Sequence, residues 1–234
     1  MSESFSNAAQ LLLLADAGLM AIVRRSLAVS GMAAAIAFVL GCGLGAWVAV
    51  ARFRGRSAVL VLLNTSLALP SVVVGLLVYL LLSRSGPLGF LGWLFSFHAM
   101  VIAQTLLVLP FVTALVRQVV EDAHHTHGEQ LQSWGASSGL KALLLAWDER
   151  YALLTVALAG FGRAVAEVGA VMLVGGNVEG FTRVMTTSIA LETSKGDLPL
   201  ALGLGFVLLA VVLVLNAGIA GLKHWRERME RQAA

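Results

Sequence analysis

Charge is scarce in this sequence. Asp, Glu, Lys and Arg make up 12% of its 234 residues, whereas 59% are hydrophobic and the mean hydropathy is +0.88. A soluble domain carries about twice that share of charged residues, so the composition excludes an ordinary soluble protein. A chain that must satisfy its backbone within lipid forms helices or a closed barrel, and the long apolar runs favour an all-α integral membrane protein.

The few basic residues lie in short clusters beside apolar runs, where Lys and Arg set membrane topology. The net charge of +3 therefore does not indicate a nucleic-acid partner. It is compatible with membrane lipid as the main surrounding of the chain. A signal peptide is also not expected, because Met1 to Asn7 carries no basic segment and no small-residue cleavage pattern follows.

Cysteine is nearly absent. The single residue, Cys42, excludes an intrachain disulfide and leaves too few thiolates for a metal site. It lies in an apolar run with Gly41, Gly43 and Gly45, so we interpret it as a small packing residue. Small residues in that position permit close helix packing within a membrane.

A span needs about 20 apolar residues to cross the hydrocarbon core. Five runs meet this length, and we predict spans at about 26–51, 57–83, 98–120, 151–174 and 200–222. Together they form a transmembrane domain over residues 26–222. Pro70 and Pro110 fall inside the second and third spans and are expected to break or kink them, which suggests a pathway or simply a bent helix that packs better.

The remaining segments are more polar. Residues 121–150 are predicted to form an extramembrane loop of short helices, residues 175–199 a polar connection, and residues 223–234 a basic tail. The excess of Lys and Arg places the 121–150 loop and the tail in the cytoplasm and the N-terminus outside. Residues 1–25 are predicted to form an interfacial helix, with a sixth span that buries Asp16 as the alternative.

No catalytic centre is visible. The sequence has no nucleophile and base pair, no metal-ligand set and no phosphate loop at usable spacing, so this chain is expected to bind no cofactor and no metal and to hydrolyse nothing. His124, His125 and His127 lack carboxylate or cysteine partners in metal-ligand spacing. We interpret them as a solvated face of the loop.

Two charges lie inside the predicted fourth span. Arg163 and Glu167 are four residues apart, a spacing that lets them pair on one helix face. Charges at membrane depth are costly, so they mark either a self-satisfied pair that locks the span to its neighbours or an anion site in which Glu167 orients Arg163. The sequence leaves both interpretations open.

The loop after the third span contains Glu129-Gln-Leu-Gln-Ser-Trp-Gly135, and nine residues later Leu145-Ala-Trp-Asp148. This resembles the EAA loop of ABC-importer permeases, whose pattern is Glu-Ala-Ala, three residues, Gly, nine residues, Ile, one residue and Leu-Pro. Three residues fall on motif positions: Glu129, Gly135 and Leu145. Four others depart from the pattern: Gln130, Leu131, Trp147 and Asp148. The alternative is an ordinary cytoplasmic loop helix.

Further segments resemble the molybdate, tungstate and sulfate branch of these permeases. They are Asn64 to Gly75, Ala103 to Pro110, the Arg-Ala-x-x-Glu-x-Gly core at 163–169 and the Gly-Asn pair at 176–177. The runs Thr182-Arg-Val-Met-Thr-Thr187 and Leu191-Glu-Thr-Ser-Lys-Gly-Asp197 resemble tungstate permeases most. The resemblance covers most of residues 26–222.

This resemblance implies the MetI/ModB-like ABC permease fold in a bacterial or archaeal plasma (inner) membrane. It implies a homodimer, two ATP-binding ATPase subunits that bind ATP and Mg, and an extracytoplasmic binding protein that delivers an oxyanion, most similar to tungstate. In that family the loop is a coupling helix that docks on the ATPase, which assigns coupling to Glu129, Gly135, Ala136 and Leu145. A molybdate or sulfate permease is the alternative.

Candidate lining residues follow from chemistry, because a crossing anion needs a polar or wet path with hydrogen-bond donors. Near the break at Pro70 we expect Asn64, Thr65, Ser66 and Ser71 to line it, with Arg163 as an attractor. The candidate extracytoplasmic loop residues are Asn177, Thr182 and Arg183. A secondary transporter or a membrane scaffold stays open as another class, although no internal repeat is visible.

Overall fold

The computed structural model describes residues 17–233, and every regular element in that range is helical. The α-helices of this range are α1 (Ala17–Val50), α2 (Arg56–Leu67), α3 (Ser71–Leu82), α4 (Phe97–Ser133), α5 (Ser138–Asp148), α6 (Arg150–Val165), α7 (Gly169–Gly175), α8 (Met185–Lys195) and α9 (Leu198–Ala233). A turn of 3-10 helix at Gly89–Leu91 precedes α4. The predicted all-α fold is confirmed.

Three helices are long and apolar enough to cross a membrane: α1, α4 and the Leu198–Trp225 part of α9. Two further pairs pass the same test only together, α2 with α3 at a bend of 100° and α6 with α7 at a bend of 59°. The described residues thus hold three membrane-spanning candidates, or up to five if each bent pair is one span. The second and fourth predicted spans are these bent pairs.

The first helix begins earlier than the predicted span. α1 already includes Ala17 and continues through Arg24 and Arg25 without a break, so residue 25 does not separate an interfacial helix from the first span. Arg25 is tolerated inside the helix because its guanidinium donates to the backbone carbonyls of Gly180 and Arg183. The first sixteen residues, including Asp16 and most of the predicted interfacial helix, lie outside the described residues.

Two other helix boundaries also differ from the predicted ones. α4 passes through Pro110 and continues to Ser133, so residues 121–133 extend the third helix instead of forming a separate short helix of the loop. This end of α4 is rich in helix formers and buries Ala123 and Leu131. α9 likewise continues beyond residue 222, so the predicted basic tail is helical to Ala233.

The chain forms two compact units. The first unit consists, among the described residues, of 17–33, 70–104 and 162–214. Its core includes the fully buried side chains of Leu19, Met100, Val174, Met185 and Leu204. α3 and α7 pack so closely at Gly75 that a Cβ there would lie 2.7 Å from the Ala170 Cα.

The second unit consists, among the described residues, of 34–69, 105–161 and 215–233. Here the C-terminal half of α1 packs on α4, where a Cβ on Gly41 would lie 2.8 Å from Val112 Cγ1 and one on Gly45 would lie 2.6 Å from the Thr113 carbonyl. The predicted close helix packing is confirmed at these two glycines. Nothing lies within 4 Å of the Cβ position of Gly43.

Candidate functional site

The break between α6 and α7 in the first unit is built around Glu167. Its side chain is buried, and one carboxylate oxygen lies 3.1 Å from Arg163 Nη1 while the other accepts from the Ala170 backbone N–H at 3.1 Å. The Thr186 hydroxyl donates to the Glu167 carbonyl at 2.8 Å. The predicted pairing of Arg163 with Glu167 is present, but it spans the end of α6 and does not lie within one helix.

These contacts satisfy the carboxylate of Glu167, whose burial without partners would be costly in free energy. A carboxylate beside the first turn of α7 also meets the positive end of the helix dipole. The side chain of Arg163 is 37% exposed, compared with 5% for Glu167. Both carboxylate oxygens of Glu167 thus have partners, whereas Nη1 is the one guanidinium nitrogen of Arg163 with a partner within residues 17–233.

Small residues allow the break to pack against α3. A Cβ on Gly169 would lie 2.8 Å from the Ser71 hydroxyl, so a larger residue there would displace Ser71. Gln104 on α4 is 3% exposed and donates to the Ala164 carbonyl at 3.0 Å. Sequence reasoning missed Gln104 as a contact of this break, although a lone amide in an apolar run was a signal for it.

The turn after α7 is held by the residues assigned to the extracytoplasmic loop. The Thr182 hydroxyl donates to the Gly175 carbonyl at 2.5 Å and accepts from the Val178 N–H at 2.9 Å. Asn177, at a positive φ of 49°, donates to the Thr187 carbonyl at 3.3 Å and accepts from the Thr187 hydroxyl at 2.9 Å. Thr182 thus bonds within the turn, whereas Asn177 links the turn to Thr187 in α8.

Arg183 is also engaged within the unit. Its Nη1 lies 3.9 Å from a carboxylate oxygen of buried Glu192 and 3.6 Å from exposed Glu179. Its backbone carbonyl accepts from Arg25 at 3.2 Å, and Ser26 accepts from the Met185 N–H at 2.6 Å. Sequence reasoning counted Arg25 only for topology, since its partner carbonyl in Gly180 is 155 positions away along the chain.

The candidate lining residues of α2 lie in the second unit. Asn64 and Thr65 are exposed, and Ser66 is partly exposed. The hydroxyls of Thr65 and Ser66 donate to the carbonyls of Val61 and Leu62 at 2.8 Å, one turn earlier in the same helix. Pro70 precedes α3 and marks the bend, as predicted, but belongs with Ser71 to the first unit.

The segment that resembles the EAA loop forms a helix, a tight turn and a second helix. α4 ends at Ser133, and Gly135 adopts a φ of +75° that favours glycine. The Ala136 N–H donates to the Leu131 carbonyl at 3.1 Å, which closes the turn, and Ser137 caps α5 by accepting from the Leu140 N–H at 3.4 Å.

α5 has one buried face and one exposed apolar face. Leu145 is 2% exposed and shares the buried face of α5 with Lys141 and Ala142, which packs against the rest of the second unit. Leu143 and Trp147 on the other side are 67% and 70% exposed. Glu129 is exposed and Ala136 partly exposed. A short amphipathic helix with an exposed apolar face is typical of a docking element.

His124 differs from its neighbours in the polar end of α4. His125 and His127 are exposed as predicted, but His124 is partly buried and the interpretation as a solvated residue is wrong for it. Burial lowers the pKa of His124, and the positive charges of Lys141, His125 and Arg52 lower it further, although Glu121 opposes them. The described residues contain no group of His, Cys, Asp or Glu placed to hold a metal.

Comparison with known proteins gives close relatives over most of the chain, although no protein-family model matches. A probable anion ABC transporter permease protein of Haloferax volcanii is 40% identical over 204 residues, 85% of this chain and 88% of the relative. The tungstate uptake system permease protein TupB of Peptoclostridium acidaminophilum is 39% identical over 228 residues, 96% of this chain and 98% of the relative. TupB of Campylobacter jejuni is 35% identical over 214 residues, covering 92% and 90%.

The helical fold and these relatives define a multi-pass permease of an ABC transporter, integral to the plasma (inner) membrane. More narrowly, this chain belongs to the permease family that includes the two TupB proteins, which confirms the predicted family. The relatives are named as transport subunits and not as enzymes. A permease of this family is one component of a transport system.

Proposed function

We propose that this chain is the membrane-spanning permease subunit of an ATP-driven importer of tungstate. The observation that carries this proposal is the 39% identity to a tungstate uptake permease over 96% of the chain.

Energy comes, in this proposal, from separate ATPase subunits. The described residues offer an amphipathic docking element in α5, whose Leu143 and Trp147 are exposed while Leu145 anchors it. Because α4 is one helix from Phe97 to Ser133, a push on the segment after Ser133 acts directly on a membrane span. Glu129, Gly135 and Ala136 shape this segment. The ATP and Mg belong to the partner, and this chain binds no cofactor.

The anion route is proposed to use Arg163 as a donor held in place by Glu167. Glu167 is satisfied by Arg163 and the Ala170 N–H, so it fixes the Arg163 rotamer and leaves part of the guanidinium free. Arginine is suited to oxyanions because its planar donors match their oxygens. Asn64, Thr65, Ser66, Pro70 and Ser71 remain candidates, although the hydroxyls of Thr65 and Ser66 must leave their helix carbonyls to reach an ion.

A second copy of this chain and an extracytoplasmic binding protein complete the proposed complex. The apolar stretch of α9 is available to contact a second copy or lipid. Only 17% of it is buried within the described residues, compared with 61% of the apolar stretch of α4. Native mass spectrometry of the purified complex tests the stoichiometry. Two permease and two ATPase chains are expected, and a single permease chain per complex would contradict the homodimer.

Competition in vesicles tests the substrate. Proteoliposomes are prepared with the ATPase facing ATP in the lumen and the binding protein on the outside. They are given labelled tungstate together with a tenfold excess of unlabelled tungstate, molybdate or sulfate. Tungstate is expected to compete best. A stronger effect of molybdate or sulfate would replace the substrate and leave the permease family intact, whereas equal uptake without ATP would favour the secondary transporter.

A further inference from the structure

A cleft in the second unit lies where the end of α1, the polar end of α4 and the start of α5 meet. Its volume is about 430 Å³. Its walls carry positive and polar side chains and, among the described residues, no acidic one; they include Arg52, His124, Gln132, Ser137 and Lys141. Such a lining differs from that of the mostly apolar cleft between α1, α2 and α4 in the same unit.

Among the residues that line this cleft, Lys141 gives the strongest indication of an anion site. The residue as a whole is only 9% exposed, its Nζ atom is not closed off from solvent, and within residues 17–233 the ammonium group has neither a hydrogen bond nor an ion pair. Lysine is almost never buried without a partner, because removing an ammonium group from water is costly. An unpaired ammonium group that reaches the cleft from an otherwise buried side chain is therefore a feature expected of an anion site.

The start of α5 adds donors to the same cleft. Ser137 caps the helix, and Ser137 and Ser138 both line the cleft. The N–H groups of Ser138 and Gly139 are in the first helical turn, where no carbonyl is available to them within the helix. The eleven-residue α5 also places the positive end of its dipole there.

The charges that act on His124 at this cleft are mostly positive. Burial lowers the pKa of His124 first, and the charges of Lys141, His125 and Arg52 lower it further. Glu121, the carboxylate that opposes these charges at His124, is paired with Arg56 at 2.7 Å and with Arg117, so its charge is already countered by two guanidinium groups. The Nδ1 atom of His124 is buried without a hydrogen-bond partner in the described part of the chain.

We propose that this cleft binds a tetrahedral oxyanion group through Arg52, Lys141 and the first turn of α5. The same chemistry is shared by a free ion, such as phosphate or tungstate, and by the phosphate of a lipid headgroup. A bound group ties α5 to the ends of α1 and α4 and so restrains the exposed face of α5. The binding site does not depend on the proposed transport activity.

Equilibrium dialysis of the full-length chain tests this site. The protein is placed in phosphatidylcholine nanodiscs and dialysed against labelled phosphate and, separately, labelled tungstate. Lys141→Met is expected to weaken binding of either ion at least tenfold, and Lys141→Arg to retain it. Lys223→Met, which removes an exposed lysine of α9, is the matched control and is expected to bind as the unchanged protein does.

Hydrogen exchange of α5 distinguishes the two sources. Protection of α5 by added phosphate in phosphatidylcholine discs assigns the site to a free ion. Protection in phosphatidylglycerol discs without added ion, lost in Lys141→Met, assigns it to a headgroup. Equal binding by the unchanged protein and Lys141→Met, or no ion binding and no protection in either disc, would overturn the proposal. Because binding is read without transport, a failure of tungstate uptake leaves this result unaffected.

Discussion

The carboxylate of Glu167 accepts a hydrogen bond from the Ala170 backbone N–H at 3.1 Å, and this contact joins the end of α6 to the start of α7. The same side chain pairs with Arg163, so one buried acid caps a helix and orients a cation. The break in the fourth span therefore has a defined cause. It is a polar joint whose partners all lie in the first unit.

Removing this acid should loosen the joint. Glu167→Leu leaves the Ala170 N–H and the Arg163 guanidinium without their buried partner, and we expect a loss of about 1–3 kcal/mol. Glu167→Gln keeps an acceptor but no charge and should lose less. Thermal unfolding in detergent measures the effect. Glu179→Gln is the control, since Glu179 is 84% exposed, and it should change stability by less than about 0.5 kcal/mol. An equal loss in both would contradict this role.

The close approach of α3 to α7 predicts a glycine effect. Gly75→Ala places a methyl group 2.7 Å from the Ala170 Cα and should destabilise the protein by about 1–3 kcal/mol. Gly43→Ala is the matched helical control, because nothing lies within 4 Å of its Cβ position. That variant should be neutral or stabilised by up to about 1 kcal/mol. Equal melting temperatures for the two variants would show that the helices do not touch at Gly75.

Thr182 tests whether the turn after α7 is structural. Thr182→Val keeps the shape but removes the hydroxyl that links the Gly175 carbonyl and the Val178 N–H, at a cost of about 1–3 kcal/mol. Hydrogen exchange at Val178 should accelerate. Thr193→Val, an exposed position of α8, should leave exchange at Val178 unchanged. If Thr182→Val lowers uptake without any change in exchange, its hydroxyl acts on the substrate or its carrier instead.

His124 predicts a pH effect on stability. Its pKa is lowered below the usual 6.5 by burial and by the charges of Lys141, His125 and Arg52. The unfolded chain then binds a proton more readily, so this contribution is complete above pH 6.5 and is lost as the pH falls through the lower folded value. The melting temperature should drop less between pH 7.5 and 5.5 in His124→Gln than in the unchanged protein. His127→Gln is the exposed control, and a smaller drop there as well would contradict the assignment.

Local signals predicted several features of this fold. Pro70 indicated the bend before α3, because proline disfavours a continuous helix, although α4 passes through Pro110. Gly41 and Gly45 indicated close packing. The four-residue spacing of Arg163 and Glu167 indicated their pairing. No proline or glycine lies between Val165 and Gly169 to mark the end of α6, and one bond at the break comes from Thr186, which is distant in sequence.

Other features depend on distant partners. The boundary between the interfacial helix and the first span was predicted at residue 25. The Gly180 carbonyl that accepts from Arg25 is remote in sequence, so the continuous α1 was not predictable. Lys141 lies in the segment 121–150, which was predicted to be an extramembrane loop. Lys141 becomes buried only when α5 folds against the rest of the second unit. No residue pattern within α5 distinguishes it from an exposed lysine.

The initial rate of tungstate uptake tests the central claim most directly. Proteoliposomes containing the permease, the binding protein and enclosed ATP are compared with and without the ATPase subunit, and with Trp147→Ala on the exposed face of α5. Uptake is expected only with the ATPase and should fall at least tenfold in Trp147→Ala with unchanged melting temperature. Full uptake in vesicles that lack the ATPase would contradict an ATP-driven permease.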